Sequence, residues 1–562
     1  MNRRDIVKGL NILYITLALF VLSCSKQDSL PDYDLIIRNG TIIDGSGAPG
    51  FIGDMAVNGD RIVEIGNISG QGKEEIDASE LVVSPGFIDI HSHSEFTLLI
   101  DGKAESKIRQ GVTTEVVGET YSPGPYTGKL EPKTVQVGEG QETIQTLDDY
   151  FRILDRHPAS VNVVSYVGIG NIWQGVMGYS FDRPSPAQMD EMKSILENAL
   201  KDGAFGLSTM LAMPPGSLAT TEDLIEFAKV VARYNGIYSS HIRNEGLKVF
   251  EAVAEAVKIG QEADIPVDII HLKIAEQELW GKMNQIVKLI EQAQNNGIDV
   301  QANVYPYTRG NNNLSSIIPP WGHEGGVEAM LVKLEDSLIR EDLKRDIQNG
   351  IEGWYNHYTA IGGDWSRMLI SGDNKYKGQT MDIIIEERSG ENENLDPFDV
   401  LFDLLLEENG SIPTVYAHHT EEDMNLALSQ PWCSVGSDGS AYATEGPLRA
   451  GNPHPRNFGT FPRVLGYYTR ELGLLTLEQA VHKMTYLNAR KIGIQKRGLL
   501  KSGYFADITI FDPETIIDHS KYTDPFHYNK GIEYVLVNGV LVLNGDLHTG
   551  ALPGRPIQRN SL

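Results

Sequence analysis

Two histidines one residue apart, His91 and His93, close the segment 84–95, SPGFIDIHSHSE. Pro85 and Gly86 interrupt the chain before them, and Phe87, Ile88, Asp89 and Ile90 read as a short buried strand. Along a strand, residues i and i+2 share a face, so both imidazoles can reach one metal ion. Alone, the pair fits two surface histidines equally well. What decides is where the other metal-competent residues fall. Glu119 follows the candidate strand 114–117, His241 follows 236–240, His271 follows 265–270 and Asp438 follows 432–436. Imidazole and carboxylate donors without thiolate suit zinc, in one or two ions, with iron, manganese and cobalt as alternatives. Such a cation lowers the pKa of a bound water toward about 7, and Asp438 is placed to take the proton and pass it to a leaving amine. The chemistry is hydrolysis at a carbonyl or amidine carbon.

These residues can meet only if the elements carrying them are parallel and closed on one another. Strand-like runs at 85–90, 114–117, 161–167, 204–208, 236–240, 265–270, 298–304 and 432–436 alternate with amphipathic helices, the clearest at 186–200 and 247–262. Alternation of this kind predicts βα units around a parallel sheet, and eight strands fit a closed α/β barrel, whose strand C-termini form the active face. All six candidate ligands follow strand ends on that face. Before residue 84 and after about 492 the chain instead shows short strands punctuated by Asn39-Gly40, Asp44-Gly45, Asn58-Gly59 and Asn538-Gly539, which are hairpin signals. The two ends are expected to pair into one small β-sandwich domain (32–84 with 492–555) flanking a barrel (85–306 with 378–491). The stretch 307–377 lacks the βα rhythm and reads as an insertion forming a lid or rim.

The chain is 562 residues long, with 48 basic and 76 acidic side chains and a net charge of −28. That balance argues against nucleic acid as a partner, since phosphate contacts need a basic footprint. Arg3 and Arg4 precede a largely apolar run from Leu10 to Leu22 that ends at Leu22-Ser23-Cys24. The pattern resembles a bacterial lipoprotein signal (1–23), which implies cleavage before Cys24, a lipid on its thiol, and a short tether (24–31) to the membrane of the cell envelope. The other cysteine is Cys433, so the mature domain has no disulfide framework.

Beyond these residues, the chain resembles the amidohydrolase superfamily, and within it the N-acyl-D-amino-acid deacylases (D-aminoacylases). The resemblance is carried by PGFIDIHSH (85–93), GVTTEVVG (111–118), HIRNEG (241–246), HLK (271–273), YPYTRG (305–310), GSDG (436–439), HPRNFGTFPRVLG (454–466) and GLLKSGYFADITIFDP (498–513). It implies a (β/α)₈ TIM barrel with a β-sandwich built from both termini and an inserted segment. It further implies His91, His93, His241 and His271 as metal ligands and Asp438 as the catalytic aspartate. Arg456 and Tyr305 would hold the free α-carboxylate of a small-molecule substrate, with Lys273 and Arg243 at polar rim positions. Two departures stand out. Family members read G-N-C-G after the second strand, with the cysteine a ligand; this chain reads Gly118-Glu119-Thr120-Tyr121, so Glu119 is expected to supply a bridging carboxylate instead. Asn311 stands where a serine helps hold the substrate carboxylate, and an amide can still donate there. The leading expectation is metal-dependent hydrolysis of N-acyl-D-amino acids or D-configured peptides. The alternatives are another amidohydrolase activity, as a dipeptidase or cyclic-amide hydrolase, and a lipid-anchored binding protein on a decayed scaffold.

Overall fold

The computed structural model describes residues 32–390 and 395–559. The expected signal segment, Cys24 and the tether lie outside them. Among the described residues no helix is long and apolar enough to cross a membrane.

The eight expected strands form a parallel ring. The first (Phe87–Asp89), second (Val112–Val117) and third (Asn162–Ser165, continued by Val167–Gly168) pair in order. The fourth (Gly206–Met210), fifth (Ile237–His241), sixth (Val267–Ile269), seventh (Val300–Val304) and eighth (Cys433–Val435) continue it. The ring closes where Ser92, past the first strand, bridges Gly439, past the eighth. There the Asp438 N–H donates to the His91 carbonyl at 2.8 Å, and the His93 N–H to the Gly439 carbonyl at 3.0 Å. Strands in such a ring are covered on both faces, which is why the second, VTTEVV, is buried along its whole length despite three polar residues. The crossover helix Pro186–Lys201 begins where Ser185 and Gln188 form a capping box with proline at the first position, and buries Met192, Leu196, Ala199 and Leu200.

The two chain ends share one nine-stranded sheet. Its joint is the antiparallel pair Val82–Pro85 with Ile508–Phe511, Ser84 opposite Thr509. Tyr33–Ile42 pairs with Gly72–Asp77 along its first half and with Val82–Pro85 along its last, so the sheet forks there. Leu35, Ile37, Val83, Ile508 and Leu536 lie in the core its arms share. The strand Val82–Pro85 runs through Gly86 directly into the first barrel strand. A Cβ at Gly86 would collide with the Thr113 side chain, so this junction, which aims the His91–His93 segment, requires glycine.

The insertion is larger than expected. Gly310–Asn313, Met368–Ile370 and Pro413–Tyr416 form an antiparallel sheet, with the last strand in the middle. Together with Leu314, Ile317, Leu343, Phe398, Leu401 and Phe402 they enclose a second hydrophobic core. The expected return to the barrel at 378 therefore falls inside this unit, which continues to Tyr416. The helix Pro397–Glu407 carries the same amphipathic pattern as barrel helices, but its apolar side joins the second core, as do Met381 and Ile384 of the helix Met381–Ser389.

Beneath the closing edge lies a buried ionic cluster. The Lys107 ammonium donates to Asp89 Oδ2 (2.8 Å), Ser437 Oγ (2.8 Å) and the Gly439 carbonyl (2.9 Å), and lies 3.1 Å from Glu115 Oε1. Glu115 also accepts from Ser92 Oγ (2.9 Å) and Ser94 Oγ (2.8 Å), and Asp89 from the Ser437 N–H (2.8 Å). Burial pushes the Glu115 carboxyl up against the pull of Lys107. Removing one member of such a cluster strands the others without solvent. Lys107→Met is thus expected to lower unfolding free energy by about 3–5 kcal/mol, measured by urea denaturation; a loss under about 1 kcal/mol would contradict the clamp.

Candidate metal centre

The barrel puts alternate residues of the first strand's extension to opposite uses. Ser92 turns down to Glu115, while His91 and His93 turn into the barrel mouth with ring centroids 5.1 Å apart. After the second strand Gly118 takes a φ of +103°, where a Cβ would meet the Tyr166 carbonyl. That turn sends the Glu119 carboxylate inward. One of its oxygens, Oε2, lies 2.6 Å from His91 Nε2 and 3.3 Å from His93 Nε2; the other, Oε1, lies 3.2 Å from His241 Nδ1. Asp438 Oδ1 is 3.1 Å from His93 Nε2 and 3.8 Å from His91 Nε2. His241 and His271 meet edge to face at 4.4 Å.

Two groups of donors result: His91, His93, Glu119 and Asp438, and Glu119, His241 and His271, each with ligand atoms within 4.8 Å of one another. Glu119 belongs to both. The hydroxyl of Thr120, at the cysteine position of the motif, is buried without a hydrogen-bond partner among the described residues. His91 Nδ1 and His241 Nε2 are likewise buried and unpartnered. Buried polar atoms seldom remain so, and an all-imidazole and carboxylate set fits zinc or another borderline divalent ion. The backbone is held taut here: Thr120, His271 and Asp438 all have positive φ (+58°, +40° and +52°), a conformation disfavoured for residues with a Cβ and concentrated at functional sites. The Asn303 side chain accepts the His271 N–H at 3.0 Å and fixes that turn.

The electrostatics agree. Burial alone would raise Glu119, but the charge on His91 and hydrogen bonds from His241, His91 and His93 hold it well below the usual carboxylate range. Asp438 is lowered likewise: burial opposes, and Arg456 and His91 prevail. Burial pushes His93 down, yet its bonds to Asp438 and Glu119 raise it to about 10. Two ionised carboxylates in a dry pocket demand positive charge beside them. His271 differs: burial and the nearby Lys273 ammonium push it down to about 4.

Of the expected substrate residues, Arg456 places one guanidinium nitrogen 2.8 Å from Asp438 Oδ2 and stacks 4.9 Å from the Tyr305 ring centre. Its Nε is buried without a partner among the described residues. Asn311 lines the mouth and accepts from Ser371 Oγ at 2.9 Å. Lys273 lies beneath the mouth instead of on its rim, buried, 2.5 Å from Glu245 Oε1. Arg243 corrects the expectation outright. It faces away from the cavity, bound to Glu255 at 2.8 Å and to the Ser217 and Ala219 carbonyls, because the turn after His241 sends the next odd residue outward.

Glu245 is a site residue that the sequence reading does not single out, although it is the fifth residue of the HIRNEG motif. Its Oε1 lies 3.0 Å from His271 Nδ1, which also lies 2.8 Å from Lys273 Nζ, so the pair packs against the outer edge of that ring. Glu95, Tyr121, Ser371 and Asp373 also line the 540 Å³ cavity over the centre; the last two come from the insertion, where no periodicity announced them. The pair His418–His419 sits behind Tyr305, His419 Nε2 bound to the Tyr307 carbonyl at 2.8 Å.

Comparison with known proteins agrees with this geometry. Residues 431–543 match the amidohydrolase family. The D-aminoacylase of Alcaligenes xylosoxydans xylosoxydans is 33% identical, over 96% of this chain and all of that one. The N-acyl-D-glutamate deacylase of Bordetella bronchiseptica, solved with zinc and a phosphonate mimic of the tetrahedral intermediate, superposes with a TM-score of 0.77 at 30% identity, over 94% of this chain and 99% of that one. A D-aminoacylase studied for its binuclear metal centre superposes equally well, at 31% identity over 94% and 100% of the two chains. The chain belongs to the D-aminoacylase family of the amidohydrolases.

Proposed function

We propose that the protein hydrolyses the amide bond of N-acyl-D-amino acids, releasing a free D-amino acid and a carboxylate, at a zinc centre bridged by Glu119. The observation that carries this reading is the sharing of one carboxylate between two donor groups, with Asp438 on its flank and Arg456 beside it. The D-aminoacylase and N-acyl-D-glutamate deacylase relatives support the substrate class, and the zinc and binuclear centre of the solved relatives support the cofactor.

His91, His93 and Asp438 would hold one ion, His241 and His271 the other, and Glu119 both. Bound there, zinc supplies an acidified water and polarises the amide carbonyl. Asp438 accepts a proton on Oδ1, the oxygen turned toward His93, and returns it to the amide nitrogen as the C–N bond breaks. Its other oxygen is fixed by Arg456, so the carboxylate cannot swing away. The Arg456 guanidinium, with Tyr305 and Asn311 beside it, takes the substrate carboxylate; a planar fork suits that planar anion. Glu245 keeps the His271 ring in one orientation and Lys273 neutralises Glu245. The alternative of a decayed binding scaffold has little support, since every candidate ligand converges.

The signal-like segment before Cys24 supports a further part of this reading: the mature protein is lipid-anchored in the bacterial cell envelope. Cys24→Ala is expected to shift the protein from the membrane fraction to the soluble fraction or to block its maturation; an unchanged membrane fraction would count against the anchor.

Zinc-loaded protein is expected to cleave N-acetyl-D-methionine, to leave its L-enantiomer, and to leave dihydrouracil; cleavage of dihydrouracil alone would favour a cyclic-amide hydrolase. Glu119→Ala is expected to lose at least one zinc per chain by elemental analysis and to lower kcat/KM by about 100-fold or more. Asp438→Asn is expected to lower kcat by about 10²–10⁴-fold with KM changed far less. Full activity in either variant would remove the assigned role.

A further inference from the structure

Tyr121 is a wall shared by two cavities. It lines the 540 Å³ cavity over the metal centre and also a separate 380 Å³ cavity formed with Tyr179, Phe181, Pro214, Leu218 and Val327. No aspartate, glutamate, lysine or arginine is among the described residues lining the second cavity. Its apolar side chains are unusually open: Tyr121 is 40%, Val327 54% and Tyr179 58% exposed. Exposed apolar clusters next to a reaction centre mark binding surface.

The position of this annexe in the ring says which end of a substrate it meets. Tyr121 follows the second strand, the segment with Tyr179 and Phe181 follows the third, and Pro214 and Leu218 follow the fourth. Tyr305 and Asn311 follow the seventh strand and Arg456 follows the eighth. In an eight-membered ring the third and seventh strands stand opposite each other across the mouth. An N-acyl amino acid is one extended chain with the carboxylate at one end and the acyl substituent at the other, and the scissile carbonyl between them. With the carboxylate at Arg456 and the carbonyl over the Glu119 cluster, the acyl substituent points across the mouth toward Tyr121.

We infer that the cavity behind Tyr121 is an acyl-chain subsite, which selects substrates whose acyl group is a medium-length alkyl chain over those bearing acetyl. This rests on the deacylase reading above. The alkyl chain passes along the Tyr121 ring and leaves water against Tyr179, Leu218 and Val327. Each methylene so buried adds to transition-state binding as long as the chain stays in the cavity. A carboxylate at the acyl end finds Gln174, Ser180 and His323 but no lysine or arginine among the described lining residues.

The test compares kcat/KM for N-octanoyl-, N-acetyl- and N-succinyl-D-methionine with the zinc-loaded enzyme. The expected result is a preference for octanoyl over acetyl of about tenfold or more, with succinyl no better than acetyl. Val327→Asp, on the exposed start of the helix Gly326–Glu335, and independently Tyr179→Ala are expected to bring the octanoyl-to-acetyl ratio down toward one. Equal rates for the two acyl groups, a preference for succinyl, or an octanoyl preference that survives both substitutions would overturn the subsite while leaving the deacylase reading intact. Failure to cleave any of the three substrates would instead defeat that reading, and the subsite with it.

Discussion

A carboxylate buried among imidazoles is the constraint on which this molecule turns. Glu119 is removed from water, keeps its charge, and divides its two oxygens between the histidines of the first strand and the histidine of the fifth. Such an arrangement is costly unless positive charge sits beside it. The surrounding donors are neutral or titratable rings, so the site is built to receive a cation. The family's cysteine position is filled here by Thr120, and the carboxylate common to both donor groups stands one residue nearer the strand, at Glu119.

The rest of the architecture serves the accuracy of that meeting. His91 and His93 lie far in sequence from Asp438, and the two segments are held by the closing hydrogen bonds of the ring and by the Lys107 cluster under it. The terminal β-domain adds a second hold, because its strand Val82–Pro85 leads without a loop into the first barrel strand. The insertion contributes Asn311, Ser371 and Asp373 to the mouth, so it shapes what enters without touching the ligand set.

Much of this was legible in the residues. β-branched runs bounded by turns marked the eight strands, since a strand covered on both faces is mostly apolar along its length. The histidines could be placed because each directly follows such a run, and the C-terminal ends of parallel strands share a rim. Side-chain direction beyond a strand end was not legible: Arg243 lies two residues past His241, yet the turn there carries it to Glu255. Glu245, two further on, turns back beneath His271. The end of the insertion was hidden because the amphipathic helix 397–407 looks the same whether its apolar side meets the barrel or a second core. Tyr121 stood in plain view in the altered motif, but only the folded chain shows the cavity behind it.

The most direct measurement of the central claim is an anomalous-scattering map at the zinc edge from crystals of the zinc-loaded protein. Two peaks are predicted, one among His91, His93 and Asp438 and one between His241 and His271, each within coordination distance of a Glu119 oxygen. Peaks that lie elsewhere, or a Glu119 carboxylate turned away from every peak, would contradict it.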